Sequence, residues 1–250
     1  MKIGVIDSGL GGFSILDRLI TKLPFLDYYY LADQQHCPYS EKSPVKLQQL
    51  AAQQVEFLLN QGCELIVLAC NTLSVTSLAF LREKFKVPFI GTVPAVKLAS
   101  EKLPQGSRVL VLATVNTTNS DYLRQLIKPL QSRTKFILLG STVLVEYIEA
   151  WQPSKTQAEC ERLIQQLPHK IEAVVFGCTH FPFIKMQLSH ALSYSVWYFD
   201  SGAGVAKRLK SLLPDGLDQS SQGQQQFFST DSRVSAAGLA AKFAFLRQKL

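Results

Sequence analysis

No hydrophobic run in this chain of 250 residues approaches the ~18 to 20 consecutive apolar residues that span a bilayer, so no membrane segment is expected. The opening MKIGVIDSGLGG reaches Asp7 before an apolar core or a cleavage site could form, which argues against a signal peptide. There is no CxxC pair, and the cysteines number five at irregular spacing. Such a set is not a disulfide framework, and it fits a reduced, cytoplasmic setting better than a secreted one. The same lack of paired spacing speaks against zinc, because Cys70, Cys178 and His180 would make an unusual ligand trio, so no metal is expected. Runs of like charge are missing too. Lys and Arg total 26 against 19 Asp and Glu, a net charge of +7, yet no five basic residues stand together. A mildly basic enzyme with an anionic substrate accounts for that balance better than a nucleic-acid binder does. The glycine-rich stretch after Asp7-Ser8 reads GLGGFS and lacks the third glycine of a dinucleotide fingerprint, so it gives little reason to expect a nucleotide there.

What is present is a regular alternation of short apolar runs with helical patterns. Strands are expected at Ile3-Ile6, Tyr28-Leu31, Leu65-Ala69, Pro88-Ile90, Arg108-Ala113, Lys135-Leu139, Ala173-Phe176 and Val196-Phe199. Between them, Pro44 to Asn60 reads as a helix. Ser43 is its cap, Pro44 sits in its first turn, and Leu47, Leu50, Ala51, Val55 and Leu58 share one face. This alternation predicts an α/β fold with mainly parallel sheets.

Two segments resemble each other. LIVLACNT (65–72) and AVVFGCTH (173–180) both end an apolar strand on a cysteine followed by polar residues, and Asp-Ser-Gly occurs both at 7–9 and at 200–202. Two related α/β halves would leave such traces. The seam is placed near Gly91-Thr92-Val93-Pro94, giving residues 1–92 plus 205–250 as the first domain and 93–204 as the second. DGLDQSSQGQQQ (215–226) reads as a loop, followed by one short strand and a terminal helix.

Ligands of parallel α/β sheets sit beyond the carboxyl ends of the strands. Asp7-Ser8, Cys70-Asn71-Thr72, Thr114 with Thr117, and Cys178-Thr179-His180 all fall there, each before a predicted helix whose N–H groups favour a carboxylate. One cysteine at a strand end is ordinarily a small buried hydrophobe. Two in matched contexts point to acid–base use, since a thiol's pKa of about 8.5 falls toward neutrality beside a helix N-terminus or a cation. His180 could tune or relay the proton of Cys178. Asp7 could do the same for Cys70, or could equally cap the helix that follows.

Taken in order, IGVIDSGLGGFSIL, CPYSEKS, LACNTLS, IGTVPAVK, LATVNTTNSDY and GCTHFP resemble the glutamate racemase family of bacterial cell-wall synthesis, over nearly the whole chain. The resemblance implies two similar Rossmann-like or flavodoxin-like domains with the active site in the cleft between them. It further implies a cofactor-independent isomerase that interconverts L- and D-glutamate by proton transfer between two cysteines, supplying D-glutamate for peptidoglycan. On this resemblance Cys70 and Cys178 are the two bases, Asp7 lies beside the first, and His180 with Glu149 lies beside the second. Ser8, Tyr39, Ser40, Asn71, Thr72, Thr114, Thr117 and Thr179 are the substrate-binding positions. It also implies a bacterial cytoplasmic protein, a homodimer, and an activator drawn from the cell-wall precursor pathway.

The chain departs from the family pattern at three points. Ser40 stands where a glycine is usual, Leu73 follows CNT where a small residue is common, and Val93 replaces an acidic residue before Pro94. Leu73 is expected to crowd the helix start. An aspartate racemase on the same fold is the alternative isomerase, and a non-catalytic binding protein with inert cysteines is the alternative of another class.

Overall fold

Apolar runs flanked by turn residues become strands, and the amphipathic stretches between them become helices, because each must bury one face against the other. The computed structural model describes residues 1–39 and 42–250. The strands are β1 (Lys2–Asp7), β2 (Asp27–Ala32), β3 (Leu65–Leu68), β4 (Phe89–Gly91), β5 (Arg108–Ala113), β6 (Lys135–Gly140), β7 (Ala173–Phe176), β8 (Trp197–Phe199) and β9 (Gln225–Ser229). The helices are α1 (Phe13–Lys22), α2 (Pro44–Asn60), α3 (Asn71–Lys84), α4 (Val96–Lys102), α5 (Val115–Thr118) and α6 (Asp121–Ile127). They continue with α7 (Val143–Glu149), α8 (Pro153–Ile164), α9 (Lys185–Leu192), α10 (Gly202–Lys210) and α11 (Ala236–Arg247). Each strand expected from the sequence is found, shifted by no more than a residue or so at its ends.

The chain divides into two compact units. The first holds Met1–Val93 and Gly202–Gln248, the second Pro94–Ser201 with Lys249–Leu250. In the first unit a five-stranded sheet runs in the order β4-β3-β1-β2-β9, and in the second a four-stranded sheet runs β6-β5-β7-β8. Every pairing is parallel.

Read from the other edge, the second sheet is β8-β7-β5-β6, the same order as β4-β3-β1-β2. The strand preceding Cys70 (β3) and the strand preceding Cys178 (β7) are therefore equivalent, and the cysteine repeat marks matching places in two like halves. The Asp-Ser-Gly repeat does not. Its first copy ends β1 and its second follows β8, strands in different places of their sheets, so that likeness comes from short turn chemistry rather than from equivalent position.

Each unit has a core of its own. Ser43 Oγ caps α2 by accepting from Lys46 N–H (3.3 Å), Pro44 occupies the first turn, Leu50 is buried, and Leu47, Ala51, Val55 and Leu58 share a core with Ile6 of β1 and Ile66 and Leu68 of β3. A cap of this kind is worth about 1 kcal/mol, and each buried leucine or valine about 1.5–3 kcal/mol. Leu73 does not crowd the start of α3. The helix begins at Asn71, and Leu73 turns into this core with no exposure. In the second unit Val109 and Val111 of β5 and Ala173 and Val175 of β7 pack with Val96, Ala99 and Leu123. No helix among the described residues is long and apolar enough to cross a membrane.

Candidate active site

In the first unit β1 and β3 are neighbours in register, Ile6 opposite Leu68, so Asp7 and Cys70 leave the same end of the sheet. Asp7 is fully buried, and its Oδ1 accepts from the Gly9 N–H at 2.9 Å, folding residues 7–9 into a tight turn. It does not cap α1, whose cap position is Gly12. At Gly12 a Cβ would lie 2.5 Å from Asp7 Cβ and 2.6 Å from the Tyr30 hydroxyl, so the glycine permits this close approach. Ser8 is buried beside Asp7.

Cys70 takes the cap position of α3, with extended backbone, at the helix N-terminus where N–H groups accumulate. Ser74 holds this junction. Its hydroxyl lies 2.9 Å from the Cys70 carbonyl and 3.1 Å from that of Leu68, and it accepts from Thr92 N–H at 2.8 Å. Asn71 and Thr72 are both buried. Asn71 is only 3 % exposed, yet neither its side-chain nitrogen nor its oxygen has a partner among the described residues. An unpaired buried amide costs about 1–3 kcal/mol per group, and a bound polar ligand would remove that cost.

Tyr39 is buried, and its hydroxyl is committed to a network that the sequence reading missed. It donates to Asp33 Oδ2 at 2.6 Å and accepts from Gln54 Nε2 at 2.9 Å. Gln54 Nε2 also donates to Asp33 Oδ2 (2.7 Å), while His36 Nδ1 and the Thr230 hydroxyl donate to Asp33 Oδ1, each at 2.7 Å. Burial, followed by the neighbouring Asp33 charge, pushes the Tyr39 phenol well above the usual tyrosine range. The signal for this cluster was in the sequence: Asp33 directly follows β2 as Asp7 ends β1, and Gln54 interrupts the apolar face of α2. Ser40, a predicted substrate position, lies outside the described residues.

In the second unit β5 delivers Thr114 and β7 delivers Cys178, Thr179 and His180, all buried. Thr114 caps the short α5, and its hydroxyl lies 3.0 Å from that of Thr117. Gly177 is held tightly, since a Cβ there would lie 2.7 Å from Ala113 Cβ. Cys178 Sγ is 3.7 Å from His180 Nδ1, and His180 Nε2 donates to Glu149 Oε1 at 2.6 Å. Glu149 thus fixes the imidazole so that Nδ1 addresses the thiol, the logic of a cysteine–histidine–carboxylate triad. Burial works against a charged His180, but the bonds to Cys178 and Glu149 outweigh it and hold the imidazole well above the usual histidine range. By contrast burial pushes the thiols of Cys63 and Cys160 up to about 12, which makes them inert packing residues.

Residues 3–209 match the Asp/Glu/hydantoin racemase family. The chain belongs to that family. It is accordingly an isomerase, and several of its solved and curated relatives are glutamate racemases. The glutamate racemase of Vibrio vulnificus strain YJ016 is 36 % identical over 229 residues, covering 90 % of this chain and 86 % of that relative. The Escherichia coli glutamate racemase, crystallised with L-glutamate and the activator UDP-MurNAc-ala, is 31 % identical with a TM-score of 0.86, covering 98 % of this chain and 94 % of that one. Glutamate racemase isoform RacE1 of Bacillus anthracis is 25 % identical with a TM-score of 0.82, covering 96 % and 91 %. A family racemase must break and remake one bond at a stereocentre, which requires a proton acceptor and a proton donor on opposite faces. Cys70 and Cys178 stand at equivalent strand ends of the two sheets, whereas Cys63 and Cys160 are packing residues.

Proposed function

We propose that this protein interconverts L- and D-glutamate, with Cys70 and Cys178 as the two acid–base groups. The observation that carries the reading is the pair of thiols at equivalent strand ends, one capping α3 and the other braced by His180 and Glu149. In each direction one thiolate takes the α-proton and the other thiol delivers a proton to the opposite face of the carbanion. The α-proton is far less acidic than a thiol, so the step depends on electrostatic stabilisation of the carbanion in a site that excludes water. The Asn71 amide, the N-terminus of α3, and the hydroxyls of Ser8, Thr72, Thr114, Thr117 and Thr179 are the donors we assign to the substrate's carboxylates. Asp7 is assigned beside Cys70. His180 shuttles charge for Cys178, with Glu149 behind it.

Glutamate rather than aspartate is the substrate because the Vibrio vulnificus and E. coli relatives bear the name glutamate racemase across nearly the whole chain. The product, D-glutamate, serves peptidoglycan synthesis in a bacterial cytoplasm. A cell-wall precursor of the kind named for the E. coli relative is the activator class we assign, and a homodimer is the assembly, to be read by sedimentation.

The test is incubation with each glutamate enantiomer in D2O, following loss of the α-proton and optical rotation together, with and without UDP-MurNAc-Ala. Wild type should exchange and racemise both. Cys70→Ala and Cys178→Ala should lose racemisation, and each should retain slow exchange of only one enantiomer, the opposite one in the two variants, because a lone base serves one face. Racemisation surviving either substitution would defeat the two-thiol assignment, and activity on aspartate alone would replace the substrate.

A further inference from the structure

Thr230 reaches the first unit's site from the far end of the chain. It follows β9, which pairs in parallel with β2, Ser229 opposite Ala32. Residue 230 therefore leaves the sheet beside Asp33, at the carboxyl end from which Asp7 and Cys70 also emerge. Past the last strand pair, Thr230 N–H donates to the Ala32 carbonyl at 3.0 Å. Its hydroxyl donates to Asp33 Oδ1 at 2.7 Å and accepts from Gln35 N–H at 3.2 Å, and the Ser229 hydroxyl donates to Gln34 Oε1 at 3.2 Å. The end of β9 thus holds residues 33–35, where the segment leading to Tyr39 begins.

The other end of that segment lies by Cys70. Tyr39 is buried in the same cluster as Leu68, Cys70 and Leu73. After burial and Asp33, a charge on Cys70 is a further cause that raises the Tyr39 phenol, so ring and thiol are close enough to sense each other. Asp33 joins the two ends. Its carboxylate is one planar group: Thr230 and His36 donate to Oδ1, and Tyr39 and Gln54 donate to Oδ2. A donor fixed at Oδ1 sets the plane, and the plane sets the direction from which Oδ2 receives the Tyr39 hydroxyl. Asp33 is fully buried, so the loss of one donor leaves an under-satisfied charge that the remaining partners must move to meet.

We propose that Thr230 is a positioning residue of the site: through Asp33 it fixes the Tyr39 ring beside Cys70 and sets how tightly substrate is held there. Thr230 touches no reacting atom. The inference deepens the reading of Cys70 as one of the two bases and rests on it. A segment that substrate must first order costs binding in the ground state and in the transition state alike, so losing the Thr230 hydroxyl raises KM and spares kcat. A hydroxyl that merely stapled β9 to β2 would lower the melting temperature and leave Cys70 and Cys178 as they were relative to each other.

Thr230→Val keeps the shape of the side chain and removes the hydroxyl, and Thr230→Ser keeps the hydroxyl. With a limiting small alkylating reagent on the intact protein, peptide masses give the rate at Cys70 relative to Cys178. Labelling of a buried thiol follows local opening, so the ratio should rise about tenfold in Thr230→Val, the lower end of what one hydrogen bond to a charged group is worth. KM for glutamate should rise by a similar factor, about tenfold, with kcat within about twofold of wild type. Thr230→Ser should restore both, and Thr230→Ala replaces the valine variant if that one does not fold. The proposal is overturned if the labelling ratio stays at the wild-type value, if both thiols speed up equally, if kcat falls while KM holds, or if the serine variant behaves like valine. Wild type that does not racemise glutamate would instead remove the reading of Cys70 as a base, and the labelling ratio would still decide whether Thr230 governs Tyr39 and its neighbour.

Discussion

Glu149→Gln isolates the charge behind Cys178 while keeping the shape of the side chain. The carboxylate sits 2.6 Å from His180 Nε2, with the two side chains 18 % and 2 % exposed, so solvent screens the pair little. A hydrogen bond to a charged group contributes about 1.5–3 kcal/mol. Its loss should lower the His180 value toward the ordinary histidine range. His180 is held above its ordinary value in the folded protein, so the protonated form that supports Cys178 persists to higher pH than a free histidine would allow. In the variant the basic limb of the kcat profile should therefore move to lower pH. On the acid side the rate should stay within a few-fold of wild type, and alkaline of the variant's limb it should fall by about 10- to 100-fold, the factor that 1.5–3 kcal/mol corresponds to. The two enantiomers have equal free energy, so kcat/KM must fall equally in both directions, which gives an internal control. Stability follows the same sign. The contribution of a raised histidine is complete below its unfolded value of about 6.5 and fades as pH rises through the folded one. The variant should thus lose most thermal stability near pH 6, and the gap to wild type should narrow in alkali. A basic limb that stays where it was would refute the charge-bracing role of Glu149.

Mass mapping after brief alkylation should find Cys70 and Cys178 modified and protected by glutamate, Cys37 modified regardless, and Cys63 and Cys160 untouched; early labelling of Cys63 or Cys160 would contradict their burial. Gly177→Ala forces a Cβ to 2.7 Å from Ala113, which should cost about 1–3 kcal/mol in urea unfolding and displace Cys178, seen as a fall in kcat larger than any change in KM. Asp33→Ala strips one acceptor from four donors and should cost about 2–4 kcal/mol, with an unchanged urea m-value; a loss under 1 kcal/mol would mean the network is not cooperative. Glu159 is held below the usual glutamate range by its bonds to Arg162 and Ser141, so Glu159→Gln should destabilise at pH 7 and progressively less as pH falls through the wild-type Glu159 value.

The strands were legible because each is a short apolar run bounded by turn residues, and the helix Pro44–Asn60 because cap, first-turn proline and apolar stripe all agreed. The place of the cysteines was legible for a related reason: polar residues directly after a buried run must surface at the sheet's carboxyl end. The pairing of distant partners was not. Asp33 and Gln54 each carry a local signal, but nothing local says that they meet or that Thr230 joins them, because that donor arrives on the chain almost two hundred positions later, after β9. Leu73 misled for the opposite reason. Beside Cys70-Asn71-Thr72 it read as an intruder in a polar site, but one residue along a helix turns a side chain by roughly a quarter of a circle or more, enough to send Leu73 into the core.

Two like halves carrying unlike surroundings for their thiols fit the chemistry of a racemase. The sheets place Cys70 and Cys178 at matching strand ends, yet Cys70 caps a fourteen-residue helix beside an unpaired amide, and Cys178 leans on an imidazole and a carboxylate. Mirror-image substrates do not require mirror-image bases. Their equal free energies already force equal kcat/KM in the two directions, whatever the two pKa values are. What the proposed reaction does require is that one thiol be ionised while the other holds its proton. The helix N-terminus at Cys70 favours a fixed negative charge. The protonated His180 at Cys178 supplies a charge that can be neutralised when the proton moves. Identical surroundings would offer the two thiols the same neighbours, whereas these differ in kind, a fixed helix terminus at one and a titratable imidazole braced by a carboxylate at the other.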